Sequence, residues 1–278
     1  MKLLAVLMLS ALAAPQSAGL LDEVSSPLND YNLSFDRREQ RLVFGRSEAE
    51  FRNAKIFIAE RRGSRWRKPQ PISFSDDRYS DSDPWLTPDG RTLFFISDRP
   101  SPERAKERRD YDIWRSTMVG GRWSPPRRLE STVNSAGQEL GPELHGGVLY
   151  FASARRSGLG GLDIYQARSK ADGFEQAELL PGPFNTAASE SDFTLDDAGQ
   201  AAMFWRSVGE RGTIHIAYRE GNGWSKPTPL PDEINMGAFN FTPSFSSDDK
   251  RIRYSSTLER SGQPSGLADI YEKVLPER

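Results

Sequence analysis

Hydrophobic residues come in short bursts of three or four, separated by polar stretches rich in Gly, Pro, Asp and Ser. One aromatic-rich burst recurs five times, as Leu42-Val43-Phe44, Leu93-Phe94-Phe95, Leu149-Tyr150-Phe151, Met203-Phe204-Trp205 and Ile252-Arg253-Tyr254. Taking Phe44, Phe95, Phe151, Phe204 and Tyr254 as markers, the spacings are 51, 56, 53 and 50 residues. A second burst follows each one: Lys55-Ile56-Phe57, Asp112-Ile113-Trp114, Asp163-Ile164-Tyr165, Thr213-Ile214-His215 and Asp269-Ile270-Tyr271. A third opens on Trp66, Trp123, Phe174 or Trp224, and after each Trp a Pro appears within three residues. β-Branched and aromatic bursts of this length, bounded by turn residues, predict strands rather than helices.

Another strand precedes each aromatic burst and ends in a turn. It is clearest at Asp83-Pro84-Trp85-Leu86-Thr87-Pro88-Asp89-Gly90 and at Thr242-Pro243-Ser244-Phe245-Ser246-Ser247-Asp248-Asp249. Asp-Gly and its relatives adopt the positive φ that tight hairpins need. Each unit is therefore four short antiparallel strands in roughly fifty residues, the size of a propeller blade. The expected fold is all-β, a five-bladed β-propeller over residues 19–278 as a single domain. The fifth unit has no fourth strand after Asp269-Ile270-Tyr271, whereas Leu20 to Val24 is a spare one before Asn29-Asp30. That N-terminal strand is expected to complete the last blade and close the ring, removing free sheet edges.

The first 18 residues follow another pattern. A positive start at Lys2, an apolar run from Leu3 to Leu12 and small residues at Ala11, Ala13 and Ala14 are the three parts of a cleavable export signal. Cleavage after Ala13 or after Ala18 fits equally well. No later stretch approaches 18 apolar residues, so a soluble, exported chain without a transmembrane segment is expected, periplasmic or secreted. A formal net charge of -2 argues against nucleic-acid binding. With no Cys and only His145 and His215, thiolate chemistry and multi-His metal centres are excluded.

Aligning the repeats puts Asp30, Asp81, Glu139, Glu190 and Asn240 in one column, just before the inner strand. Two residues on, the column reads Asn32, Asp83, Gly141, Asp192 and Thr242. These predict an acidic collar at one channel mouth, able to attract a basic peptide or a cation. No cofactor is expected, although oxygen-only ligands there would suit Ca²⁺ in the channel. Capping of neighbouring backbone N–H groups is the competing role for these side chains. Loops on the same face carry Arg46, Arg99, Arg155, Arg206 and Arg260, with Arg104, Lys106, Arg108 and Arg109 added in the longest one. Arg suits carboxylates and planar polar groups. Asp112, Asp163 and Asp269 begin strands and are expected to fix the blades, and His215 to pack. Gly158 to Gly161 is followed by a strand, so it is no phosphate cradle, and no nucleophile elbow occurs.

Two runs carry a family likeness. Pro84 to Ser97, Pro-Trp-Leu-Thr-Pro-Asp-Gly-Arg-Thr-Leu-Phe-Phe-Ile-Ser, resembles the WD-repeat-like propeller repeat of the TolB type, and Tyr150 to Tyr165 is similar to it. The likeness covers about residues 20–275. It implies a monomeric periplasmic propeller that binds an envelope protein or peptide. TolB proteins place six blades behind an N-terminal α/β domain, whereas this chain has five repeats. An alternative arises from arabinanase-like glycoside hydrolases, which are five-bladed and use channel carboxylates as acid and base. Asp30, Asp81, Glu139 and Glu190 are the residues that would mimic that placement.

Overall fold

The computed structural model of the chain describes residues 21–101, 110–260 and 264–276. The expected export signal lies outside them, as do Arg104, Lys106, Arg108 and Arg109. The described residues form an all-β, five-bladed propeller with a single 3-10 turn, Ala49–Phe51. The inner strands are Asn29–Phe35, Asp81–Leu86, Glu139–His145, Glu190–Leu195 and Asn240–Phe245. Each pairs antiparallel with a second strand carrying the aromatic burst: Arg41–Ser47, Thr92–Ser97, Val148–Ser153, Ala201–Val208 or Arg251–Ser256. Third strands run Lys55–Arg62, Asp112–Val119, Asp163–Lys170, Arg211–Glu220 and Asp269–Val274.

In blades one to four the outer strand is broken into two short pieces, such as Arg65–Trp66 and Gln70–Pro71, both paired to the third strand. In blades one, two and four a Pro sits in the break; blade three breaks over residues 175–177 without one. Pro69 has no N–H to give to the ladder, which an outermost strand tolerates. The hairpins between inner and second strands turn at positive φ on Glu39, Gly90, Gly146 with Gly147, Gly199 and Asp249. These are the turn positions the Asp-Gly pattern predicts.

Aromatic bursts are buried on both faces because each blade is sandwiched between two others. Five apolar clusters result, one per blade junction. Val43, Ile56, Leu86 and Phe95 fill the first, and Phe94, Ile113, Leu149 and Phe151 the second. Ile164, Phe184, Phe193 and Phe204 fill the third, and Met203, Ile214, Ile252 and Tyr254 the fourth. The fifth joins blade five to blade one through Val24, Leu33, Phe44 and Ile270. Full burial of one such side chain contributes about 1.5–3 kcal/mol, so the junctions are the main source of stability.

Polar bonds repeat at the junctions too. In four of the five inner strands an N–H at the start bonds a carbonyl of the preceding blade: Asp81 to Ala54, Glu139 to Tyr111, Glu190 to Leu162 and Asp30 to Ala268, all at 2.9 Å. The last of these closes the ring. Asn134, Asn185 and Asn235 each clamp a third strand, with Oδ1 accepting the N–H and Nδ2 donating to the carbonyl of Ile113, Ile164 and Ile214 respectively.

The N-terminal closing segment differs in form from the strand expected at Leu20 to Val24. The Leu21 N–H bonds the Ile270 carbonyl at 3.0 Å. Ile72, Leu129, Leu180 and Leu230 make the same bond in the other blades. From there the chain turns, with the Val24 and Ser25 N–H groups returning to the Leu21 carbonyl. Leu21 thus takes the outer position of blade five, and Leu20 lies outside the described residues. No helix among the described residues is long and apolar enough to cross a membrane.

Candidate functional site

The first acidic column does not open onto the channel. Asp30, Asp81, Glu139, Glu190 and Asn240 are all fully buried at the blade ends. Strand register explains why: Asp30 stands opposite Arg46 and Glu190 opposite Arg206, while Asp81 and Glu139 face Ser97 and Ser153, two residues before Arg99 and Arg155. The expected Arg rim therefore folds onto the expected collar. Arg46 Nε reaches Asp30 at 2.6 Å, Arg99 reaches Asp81 at 2.5 Å, Arg206 Nε reaches Glu190 at 2.8 Å and Arg155 reaches Glu139 at 3.4 Å. Blade five substitutes Asn240, which accepts from Ser256 Oγ at 2.7 Å and donates to Gly212 and Gly237 carbonyls. Burial pushes the carboxyls of Asp30, Asp81 and Glu139 up, against the pull of their arginines. Among the described residues no group of three His, Asp or Glu side chains converges to hold a metal.

The strand-opening Asp residues are also spoken for. Arg128 binds Asp112 at 2.8 and 3.1 Å, and Asp163 accepts the Leu159 and Gly160 N–H groups. Asp269 takes Ser25 Oγ at 2.7 Å and pairs with Arg260. His215 is buried and stacks on Phe204 with ring centroids 5.7 Å apart.

The second column is different. Asn32, Asp83, Gly141, Asp192 and Thr242 each adopt positive φ, between 46° and 57°. At each one the inner strand slips register against the second, a bulge that re-aims the side chain. These residues form a belt across the channel, in which Asp83, Asp192 and Thr242 each reach the next blade. Asp83 Oδ2 accepts the Gly141 N–H at 3.1 Å, Asp192 Oδ2 the Thr242 N–H at 3.0 Å, and Thr242 Oγ1 the Asn32 N–H at 3.3 Å. Ser82 and Ser191 add hydroxyl bonds to Asp83 and Asp192 at 3.1 Å. Among the described residues no basic side chain pairs with either carboxyl. Burial pushes both up, Asp192 to about 7, where the neighbouring charge of Asp83 adds to the effect.

Asp83 and Asp192 stand at the floor of a cavity of about 280 Å³ on the mouth where the inner strands begin. Its wall is a continuous run of rings. Phe51 meets Tyr31 edge-on at 5.1 Å and Phe241 at 5.8 Å, Phe241 meets Phe239 at 5.0 Å, and Phe239 meets Trp205 at 5.2 Å. Trp205 is 8% exposed, and its Nε1 has no hydrogen-bond partner. Gly212 makes room for it: a Cβ there would lie 2.3 Å from Nε1 and 2.7 Å from Phe239. Phe51 reaches the cup from a loop in which Glu50 and Phe51 are both left-handed, at φ 57° and 56°. That conformation is costly for a bulky aromatic.

Sequence reasoning put Asp83 and Asp192 at the channel but missed Phe51, Trp205, Phe239 and Phe241 as its wall. Phe51 and Phe239 lie in connections that periodicity discards, whereas Trp205 and Phe241 lie within repeated strands, where they read as core. The opposite mouth is charge-paired, through Arg37 with Asp197 and Arg253 with Glu39 and Glu272. There Glu143 accepts from Thr194 Oγ1 and the Leu195 N–H, and burial pushes it up to about 7.

No family model and no curated protein matches the sequence. Solved structures do match in fold. TolB from Acinetobacter baumannii is 15% identical with a TM-score of 0.53, covering 92% of this chain. The chain spans 56% of that TolB chain's length. An endo-arabinase from Bacteroides thetaiotaomicron VPI-5482 is 14% identical with a TM-score of 0.61, covering 95% of this chain and 99% of its own. An α-L-arabinofuranosidase from Lactobacillus brevis is 11% identical with a TM-score of 0.54, covering 91% and 92%. At these identities the likeness is one of fold.

Proposed function

We propose that this chain is an exported, monomeric binding module of the cell envelope, related in its repeat to TolB-type propellers, and that its channel mouth receives a segment of a protein or peptide. One observation carries the reading: an aromatic-walled cup over two carboxyls that lack a basic partner among the described residues, on a mouth where Asp30, Asp81, Glu139 and Glu190 are consumed in ion pairs. Large rigid rings supply contact area at low conformational cost, which is what a recognition surface needs. The four carboxylates of the first column serve the fold in this reading.

Capture from a displayed peptide library by the mature chain tests it. The mature chain should retain a defined set of peptides, and Phe51→Ala should lose them while melting within a few degrees of wild type. Equal capture by wild type and Phe51→Ala would overturn the cup as the site. Recovery of the mature chain from the periplasm without detergent, its N-terminus near Ala14 or Gly19, tests export.

A glycoside hydrolase is the second reading. It draws on the raised Asp192 carboxyl, a protonated acid near neutral pH, in one pocket with a second carboxyl. Hydrolysis of arabinan by wild type, abolished in Asp192→Asn, would replace the binding reading with this one.

A further inference from the structure

The belt contains one residue without a side chain, Gly141 of blade three, and the two carboxylates meet around it. Asp83 of blade two accepts its N–H, while Asp192 Oδ1 of blade four lies 2.7 Å from where a Gly141 Cβ would stand. A side chain at Gly141 would fill the space between the two acids. With Gly there, two carboxyl groups face one gap beside the aromatic wall. The other titratable groups against this gap are Tyr31 and Tyr111, both pushed up by burial and by the Asp83 charge, hence neutral. Among the described residues no Lys or Arg lines the cup.

We infer that the cup takes a primary alkylammonium group, of the kind a lysine side chain carries, with the nitrogen seated between Asp83 and Asp192 and the stem against the rings. The choice among cations follows from the contacts. Both oxygens of each Asp already take one bond from Gly141, Thr242, Ser82 or Ser191. Each oxygen retains a second lone pair. A compact ammonium with three divergent N–H groups can use single lone pairs on two carboxylates at once. A guanidinium needs a free carboxylate edge for its planar fork, and neither Asp offers one. Ca²⁺ needs six to eight oxygens, which a cup walled by rings does not supply. The ring faces of Phe51, Tyr31 and Phe241 suit a cation and its methylene stem together.

This inference rests on the cup being the binding site, and two probes separate its failure from that of the peptide reading. Pentylammonium and 1-pentanol are titrated into the mature chain, reading the Gly141 amide and the Trp205 indole N–H by NMR. Pentylammonium should bind at least about tenfold more tightly than pentanol, and the double variant D83N/D192N, which keeps one acceptor oxygen at each position for the Gly141 and Thr242 N–H groups, should remove that margin. Library peptides retained by the cup should lose about tenfold on replacement of one lysine by norleucine. Equal binding of the two probes, or retained peptides indifferent to norleucine, overturns the ammonium assignment and leaves peptide binding standing. Ammonium binding with no peptide retained supports the assignment and overturns the peptide reading.

Discussion

At the scale of single residues, burial decides the chemistry of the channel. Asp192 has its carboxyl pushed from an ordinary 3.8 to about 7 because it is desolvated and faces Asp83, and two hydrogen bonds do not offset that. A carboxyl raised on folding favours the folded state at pH values where it is protonated in both states. That contribution is lost as pH rises through the folded value. Asp269, pushed up to about 6, acts in the same direction. Wild type should therefore lose stability between pH 5 and pH 8. Asp192→Asn, whose single amide oxygen can still accept the Thr242 N–H while its NH2 group donates to Ser191 Oγ, should melt higher than wild type at pH 8, with the gain shrinking toward pH 5. The conversion is about 2–4 °C per kcal/mol for a chain of this size. Thermal melts at both pH values check it; an Asn variant that melts lower at pH 8 would mean the carboxylate is held ionised by a partner, contrary to the belt described.

At the scale of elements, the repeat explains both what was legible and what was not. Strands, turns and blade count could be read because each recurs with the same spacing, from Phe44 to Tyr254. Asp30, Asp81, Glu139 and Glu190 were equally visible as a column, yet their column carried no information about which way they point. Register supplied it, by setting Arg46 and Arg206 opposite Asp30 and Glu190. The cup was hidden because Phe51 and Phe239 belong to connections, where each blade differs. The ion pairs make a sharp test of the structural role. Arg206 holds Glu190, donates to the Phe184 carbonyl at 2.9 Å and lies over the Phe204 ring. Arg206→Ala leaves a buried, uncompensated carboxylate and should cost about 3–5 kcal/mol. Removing the charge as well, in Glu190→Gln with Arg206→Met, should cost much less than the single Arg206 change. Urea unfolding of the three proteins measures this, and a double variant less stable than Arg206→Ala would show that Glu190 serves a contact beyond the pair.

At the scale of the whole molecule, a propeller is a chain of junctions in which the last must join the first. Four junctions connect consecutive blades, so their partners are close in sequence. The fifth unites residues more than two hundred positions apart, through Asp30 to Ala268, Leu21 to Ile270 and Ser25 to Asp269. Val24 and Ile270 supply its apolar part. Because every blade is buried on both faces by its neighbours, opening this one junction exposes two faces at once and leaves blade five with three strands and a free edge. Long-range closure also carries most of the loop-entropy cost of folding. Deleting residues 19–28 removes Leu21, Val24 and Ser25 while leaving every inner strand intact. The truncated chain should still form blades, keeping its far-ultraviolet β signal, but should melt lower and over a broader range than the mature chain, with blade five exchanging its amides first. Hydrogen exchange at Ile270 and Tyr271, followed beside that at Phe151 of blade three, separates local opening from general loss. Uniform protection with an unchanged melt would show that the ring holds without its N-terminal clasp.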